Sequence, residues 1–343
     1  MLQPGLQPAL PRSSDALPPG KARRRYWTLL IALLALSLLF AFGLLAWDNP
    51  MPMGTEGFWT IAKMRATSVV VILIVAFCQA IATVSFQTAT NNRIITPSIM
   101  GFESLYRAVQ TASVYFLGIA GITALRGVPQ FLLQVALMVG FALLLYGWLL
   151  SGKYGNLQVM LLVGIILGAG LGSIATFMQR LLTPSEFDVL AARLFGSIGQ
   201  ADAAYLPYAI PLAAVAGAGL WLNAKNLNLL GLGRDAAISL GINHRRQTMV
   251  TLFFVSILMA VSTALVGPMT FLGFLVATLA YQLADTYDHR YIFPMSVATA
   301  FIVLTGSYFI MKHVFYAQGV VSIIIELVGG GVFLLVLLRK GRL

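Results

Sequence analysis

Apolar runs recur along this chain at 26–47, 66–88, 95–119, 128–150, 157–179, 203–222, 248–267, 270–284, 291–311 and 319–338. A helix rises ~1.5 Å per residue, so about 20 apolar residues cross the ~30 Å hydrocarbon core of a bilayer. No water reaches that core, and each backbone N–H and C=O must find its partner within the protein. The repeated pattern predicts an all-α polytopic membrane protein of about ten transmembrane helices, some of them short or broken. The run 270–284 is too short to cross upright, and only the turn Gly267-Pro268 separates it from the run before. A tilted or partly re-entrant helix is predicted there.

Composition narrows the class further. Of the 343 residues, 59% are hydrophobic and 10% charged, too little polar surface for a soluble globular domain. The net charge of +11 would suit nucleic acid, but the basic residues collect in short connections and at the two ends, so lipid is the expected partner. With the N-terminus inside, cytoplasmic segments hold Arg12, Lys21, Arg23, Arg24, Arg25, Arg93, Lys153, Lys225, Arg234, Arg245, Arg246, Arg290, Arg339, Lys340 and Arg342. The other side holds only Lys63, Arg65, Arg126, Arg180, Arg193 and Lys312. This bias predicts both termini in the cytoplasm. Residues 1–25 read as a Pro-rich disordered cytoplasmic tail, and 26–340 as a single transmembrane domain. The first apolar run is too long for a signal-peptide core, so it is read as a retained helix.

Glycine and proline mark special points within the runs. Gly164, Gly168 and Gly172 recur every four residues, with Gly170 between them, a flat helix face suited to close packing. Gly329-Gly-Gly331 offers the same to the last helix. Pro97, Pro207, Pro211 and Pro294 fall at span starts or inside spans and predict kinks or broken helices.

No catalytic constellation is visible. His244, His289 and His313 lie in separate segments, and the lone Cys78 sits inside an apolar run, so neither a metal cluster nor a disulfide is expected. Ser151-Gly-Lys-Tyr-Gly155 lacks the spacing and the hydroxyl of a phosphate loop. If ATP is used, another chain hydrolyses it. Charge within the spans is more telling. Glu103 and Arg107 stand at i, i+4 in the third run and are expected to pair on one helix face. Either they clamp helices together or they line a pathway, since intramembrane charges are functional by default. Glu326, in the last run, is a further pathway candidate. On the outer side, Lys63, Arg65 and Lys312 either snorkel at the interface or form a docking ring for an acidic partner.

Between two spans lies an unusual connection, Leu227-Asn-Leu-Leu-Gly-Leu-Gly-Arg-Asp-Ala-Ala-Ile-Ser-Leu-Gly-Ile242, followed by the basic stretch Asn243-His-Arg-Arg246. Its apolar residues recur at helical spacing, so it reads as a small helix on the cytoplasmic face.

This segment resembles the coupling motif of FecCD-type permeases, the membrane subunits of bacterial ABC importers for iron-siderophores, haem and vitamin B12. Further likenesses run in order along about 25–340. Asn92-Arg-Ile-Ile-Thr-Pro-Ser-Ile-Met-Gly101 is similar to the family's lead-in to the third helix, and Phe195-Gly-Ser197 to its Gly-Ser before the sixth. Gly267-Pro-Met-Thr-Phe-Leu-Gly273 and Asp288-His-Arg290 match its turns before the eighth and ninth. Two departures stand out. The Pro-His-x-x-Arg of the family is replaced by Ala277-Thr-Leu-Ala-Tyr281, and its Glu-Leu-Pro-Val-Gly before the last helix is reduced to Gly319.

The resemblance implies the permease fold of the vitamin B12 importer type. It implies that Leu227, Asn228, Leu230, Leu232, Gly233, Arg234, Ala237, Leu240 and Gly241, within 225–246, couple to the ATPase. It places Lys63, Arg65 and Lys312 where relatives dock a periplasmic or lipoprotein siderophore-binding protein. The lead-in to the third helix is similar to that of the ferric catecholate branch, which pairs two different permeases. The implied partners are a second permease, two ATPase subunits and the binding protein, with no cofactor bound by this chain, in the bacterial cytoplasmic membrane. Haem or cobalamin import on the same fold is one alternative. A secondary transporter relaying protons through Glu103, Arg107 or Glu326 is another, though no inverted repeat is visible.

Overall fold

The computed structural model describes residues 15–18, 20–125, 127–151, 157–315 and 321–340 and contains no strand among them. Its helices are α1 (Lys21–Ala46), α2 (Glu56–Ala89), α3 (Phe102–Leu125), α4 (Val128–Ser151), α5 (Leu157–Gln179), α6 (Pro184–Leu194) and α7 (Leu206–Leu222). They continue with α8 (Ala224–Leu230), α9 (Arg234–Ser239), α10 (His244–Val266), α11 (Leu272–Ala284), α12 (His289–His313) and α13 (Val321–Lys340). Every apolar run of the sequence is the body of one of these helices. By length and composition α1, α2, α4, α5, α10 and α12 can each cross a bilayer, as can α7 together with the turn before it (Ala203–Leu222). The 13 residues of α11 reach only about 20 Å, short of the ~30 Å core.

The N-terminal tail read over 1–25 lies outside the described residues at 1–14 and 19. Lys21–Arg25 already form the start of α1, because Lys, Ala and Arg are strong helix formers that simply extend the apolar run. Just before them, Leu17 is buried and the Thr286 hydroxyl donates to the Ala16 carbonyl at 2.6 Å.

The bundle is organised around α2. In the most apolar window of α2, 78% of residues are buried, against 67% for α10, 61% for α12 and 22% for α1. So α2, α10 and α12 form the hub, while α1, α4, α5 and α7 show apolar side chains outward. Lipid tails are as apolar as Leu, and close contact rather than water exclusion must hold such a hub together. The buried run of α2 is accordingly rich in small residues, among them Cys78, Ala80, Ala82, Thr83, Ser85 and Ala89. Gln79 donates across to Ser262 on α10 at 3.1 Å.

The glycine stripe of α5 packs as its spacing predicts. A Cβ on Gly168 would sit 3.0 Å from Gly101 Cα, and one on Gly164 would meet Met100 at 3.3 Å, whereas Gly170 faces open space. Gly101 has φ 95, a left-handed conformation that needs glycine. In α13, Gly329 lies against Phe271 in the same way.

Of the four prolines, Pro211 and Pro294 stand inside α7 and α12, as the sequence suggested, and the other two open their elements. Pro97 opens a single 3₁₀ turn, and Pro207 stands in the first turn of α7, where its missing N–H removes no helical bond. A dihedral break that no proline marks falls at Gly118 inside α3 (φ 64, ψ −178). The connection 180–202 contains α6. Its start is closed by a capping box, with Glu186 accepting from the Thr183 N–H at 2.9 Å and its hydroxyl at 2.8 Å. Those two bonds hold the Glu186 carboxyl below the usual range.

Contacts between helix ends define two faces of the bundle. The C-terminus of α2, the α8–α9 segment and the N-termini of α1 and α12 meet at one end, where the Tyr26 hydroxyl donates to the Tyr291 carbonyl at 2.9 Å. At the opposite end, Arg65 near the start of α2 donates to the carbonyls of Trp47 and Asp48, just past α1, at 2.8 and 3.0 Å.

Candidate coupling site

The motif segment folds as two short helices joined by a glycine turn. α8 turns Ala224, Leu227 and Leu230 into the bundle, each at most 1% exposed. Gly231 and Gly233 reverse the chain, and Gly233 has φ 95. The Gly233 carbonyl then accepts the Ala237 N–H at 3.0 Å and opens α9. α9 ends in a left-handed Gly241 (φ 83), with Ile242 N–H donating to Ala237 O at 3.0 Å and Gly241 N–H to Ile238 O at 2.9 Å. That is a Schellman closure, which satisfies carbonyls a six-residue helix would otherwise leave bare.

The residues singled out in sequence divide by orientation. Leu227, Leu230 and Ala237 are buried anchors. Leu232 and Leu240 are 60% and 57% exposed, and Arg234 and Gly241 are exposed with them. Ile238, not singled out from the sequence, is 51% exposed and completes an apolar patch rimmed by Arg234 and Asp235. A surface of this kind suits a cleft in another protein.

Asn228 does something different from its neighbours. Its Oδ1 accepts the His289 backbone N–H at 3.0 Å and faces His289 Nδ1 at 2.5 Å, while its Nδ2 donates to Asp288 Oδ1 at 2.9 Å. Because a carboxylate only accepts and a backbone N–H only donates, this amide can be oriented one way. On the far side of the ring, His289 Nε2 meets the Thr88 hydroxyl at 2.7 Å. With Nδ1–H donating to Asn228, the neutral ring leaves Nε2 as an acceptor facing the single Thr88 proton, which the Val84 carbonyl at 2.9 Å shares. Asp288-His-Arg290 was visible as a motif, yet nothing in sequence tied it to Asn228 or Thr88.

At the opposite end, Lys63 is exposed while Arg65 and Lys312 are half-buried. Arg65 is already committed to the two carbonyls of the α1–α2 connection, and Lys312 lies within electrostatic reach of Arg65 and Asp48. The structure thus gathers Arg65 and Lys312 from α2 and α12 into one corner.

The expected Glu103–Arg107 pair is not formed. Glu103 Oε2 instead accepts from the Thr270 hydroxyl at 2.7 Å. Glu103 stands in the first turn of α3, where unpaired N–H groups favour a carboxylate, and Thr270 reaches it from the turn before α11. Arg107 is exposed and makes no close ion pair with Glu103, but it lies within electrostatic reach of both Glu103 and Glu326, the latter exposed on α13. Tyr281, which closes the stretch departing from the family pattern, carries the Arg93 guanidinium 4.6 Å above its ring, a cation–π contact. Gly319, the other departure, lies outside the described residues.

The chain is 54% identical over 97% of its length to the petrobactin import system permease protein FatC of Bacillus anthracis, covering 94% of that protein. It is 35% identical over 91% of its length to the petrobactin import system permease protein YclO of Bacillus subtilis (strain 168), covering 96% of it. Its fold matches a solved ABC transporter of metal-chelate type in an inward-facing conformation, with TM-score 0.77 and 19% identity over 92% of this chain and 99% of the other. The sequence profile of the FecCD transport family matches residues 29–339, and the chain belongs to that family of membrane permeases.

Proposed function

We propose that this permease forms one half of the pore of an ABC importer that carries a ferric siderophore of catecholate type across the bacterial cytoplasmic membrane. The similarity to FatC over nearly the whole length of both chains carries the cargo assignment. Bacillus anthracis has a second permease named for petrobactin import, FatD, 22% identical to this chain over 93% of it. Two permeases for one cargo in one organism favour a pore built from two different chains here also.

The charge asymmetry of the connections puts the α8–α9 end in the cytoplasm. There the patch of Leu232, Ile238 and Leu240, with Arg234 beside it, seats in an ATPase subunit that hydrolyses ATP on this chain's behalf. Lys63, Arg65 and Lys312 then face the binding protein outside, where complementary charge orients docking. Arg107 and Glu326 are exposed within helices of an apolar bundle, a placement that asks for a water-filled path or a second subunit rather than lipid. They line the cargo route, with Glu103 held at its edge by Thr270.

Reconstitution of the two permeases, the ATPase and the binding protein in vesicles tests this reading with iron-labelled ferric petrobactin. Uptake is expected to require ATP and an active ATPase and to survive a proton uncoupler. Uptake without the ATPase would reinstate proton coupling, and efficient competition by haem or cobalamin would move the cargo class.

A further inference from the structure

Thr88, Asp288 and His289 have no part in the roles assigned above, yet they bind the coupling motif to the two helices that cross the whole bundle. His289 is 4% exposed and Thr88 9%, and together with Asn228 they make a continuous hydrogen-bonded chain from α8 to the first turn of α12 and the last turn of α2. The end of α2 also touches the turn between α8 and α9. A Cβ on Gly231 would meet Thr88 Cγ2 at 3.5 Å, and one on Gly233 would meet Asn91 Nδ2 at 3.6 Å. The motif cannot shift against α2 or α12 without stranding the buried His289 ring, whose two nitrogens face Asn228 and Thr88, so the three elements move together.

The other ends of these two helices matter equally. α2 has 34 residues and α12 has 25, about 51 and 37 Å of helix, and they pack against each other in the hub. At the far end α2 carries Lys63 and Arg65 and α12 carries Lys312, the residues assigned to binding-protein docking. Each helix thus has a docking residue at one end and a bond to the coupling motif at the other.

We propose that α2 and α12 act as one strut and that Thr88, Asp288 and His289 are positioning residues forming its cytoplasmic joint. Through this joint, docking of the loaded binding protein on this chain stimulates ATP hydrolysis by the ATPase subunit seated on α8–α9. The inference rests on the coupling and docking roles proposed above.

The test uses the assembled importer in lipid nanodiscs, with ATP hydrolysis measured without and with binding protein loaded with ferric petrobactin. Thr88→Val keeps the shape of the side chain and removes its hydroxyl. The ratio of stimulated to basal rate is expected to fall about tenfold, within the usual range of coupling between sites, with assembly and basal rate retained. Thr88→Ser, which restores the hydroxyl, is expected to recover most of the ratio. In a double-mutant cycle, Lys312→Gln and Thr88→Val are expected to be less than additive, because both interrupt one connection.

An unchanged ratio in Thr88→Val would overturn the joint. So would loss of the ATPase subunit from the complex, or equal losses of basal and stimulated rates, since either reduces these residues to local scaffolding. If Thr88→Val does not accumulate, His289→Gln is scored by the same ratio. Leu240→Asp separates this idea from the docking role of α9: an ATPase that stays bound to Leu240→Asp refutes that role, whatever Thr88→Val does.

Discussion

Leu227 and Leu240 belong to one motif and face opposite ways: Leu227 is fully buried beneath α8, and Leu240 is 57% exposed beyond α9. The glycine turn between the two helices produces the reversal. One part of the motif therefore belongs to the bundle and the other to whatever binds it.

Substitution at the two leucines should separate stability from assembly. Leu227→Ala removes a buried side chain and should cost about 2–5 kcal/mol, read as lower thermal stability of the purified permease. Leu240→Asp should leave that stability unchanged and abolish co-purification of the ATPase subunit.

Gly233 should tolerate no side chain without penalty. Its φ of 95 is a region that costs an ordinary residue ~1–2 kcal/mol, though space is available, with Asn91 Nδ2 at 3.6 Å. Gly233→Val is expected to tilt α9 and uncouple ATP hydrolysis from uptake while the protein still inserts. Wild-type uptake by this variant would refute the role of the turn.

The glycines of α5 give a paired control. Gly168→Val would drive a side chain into Gly101 backbone and should destabilise by ~1–3 kcal/mol. Gly170→Ala meets nothing within 4 Å and should be neutral in the same melting measurement.

Glu103→Gln is expected to leave folding nearly unchanged, because the amide oxygen can still accept from Thr270 and no buried arginine loses a partner. Uptake is the sensitive readout for Arg107→Gln, which should slow transport without changing the melting temperature. A large loss of stability in Arg107→Gln would show that it is buried against another subunit.

Acid should loosen α6. Glu186 titrates below the usual range because its charged form accepts both Thr183 bonds. A depressed pKa means the cap is fully present above the ordinary value of about 4.3 and is lost as pH falls through the lower folded value. Hydrogen-exchange protection at the start of α6 should drop over that window, and Glu186→Gln should remove the pH dependence.

Hydropathy alone determined the ten helical runs, because a bilayer leaves the backbone no alternative to internal hydrogen bonding. Residue identity and order determined the family, through the Leu227–Ile242 segment and the turns that follow it. The close packing of α5 was legible as well, since a four-residue glycine repeat fixes a helix face. Only the tertiary structure decided which partner each polar group takes. Glu103 and Arg107 are correctly spaced to pair, but the turn before α11 brings Thr270 to the carboxylate, and Arg107 acts on it only through space. Thr88 and His289 are 201 residues apart, and no local periodicity encodes a contact made by the packing of α2 against α12. Spacing along one helix determines what its residues can reach on that helix, while a hydrogen bond between helices depends on where the rest of the chain places the second.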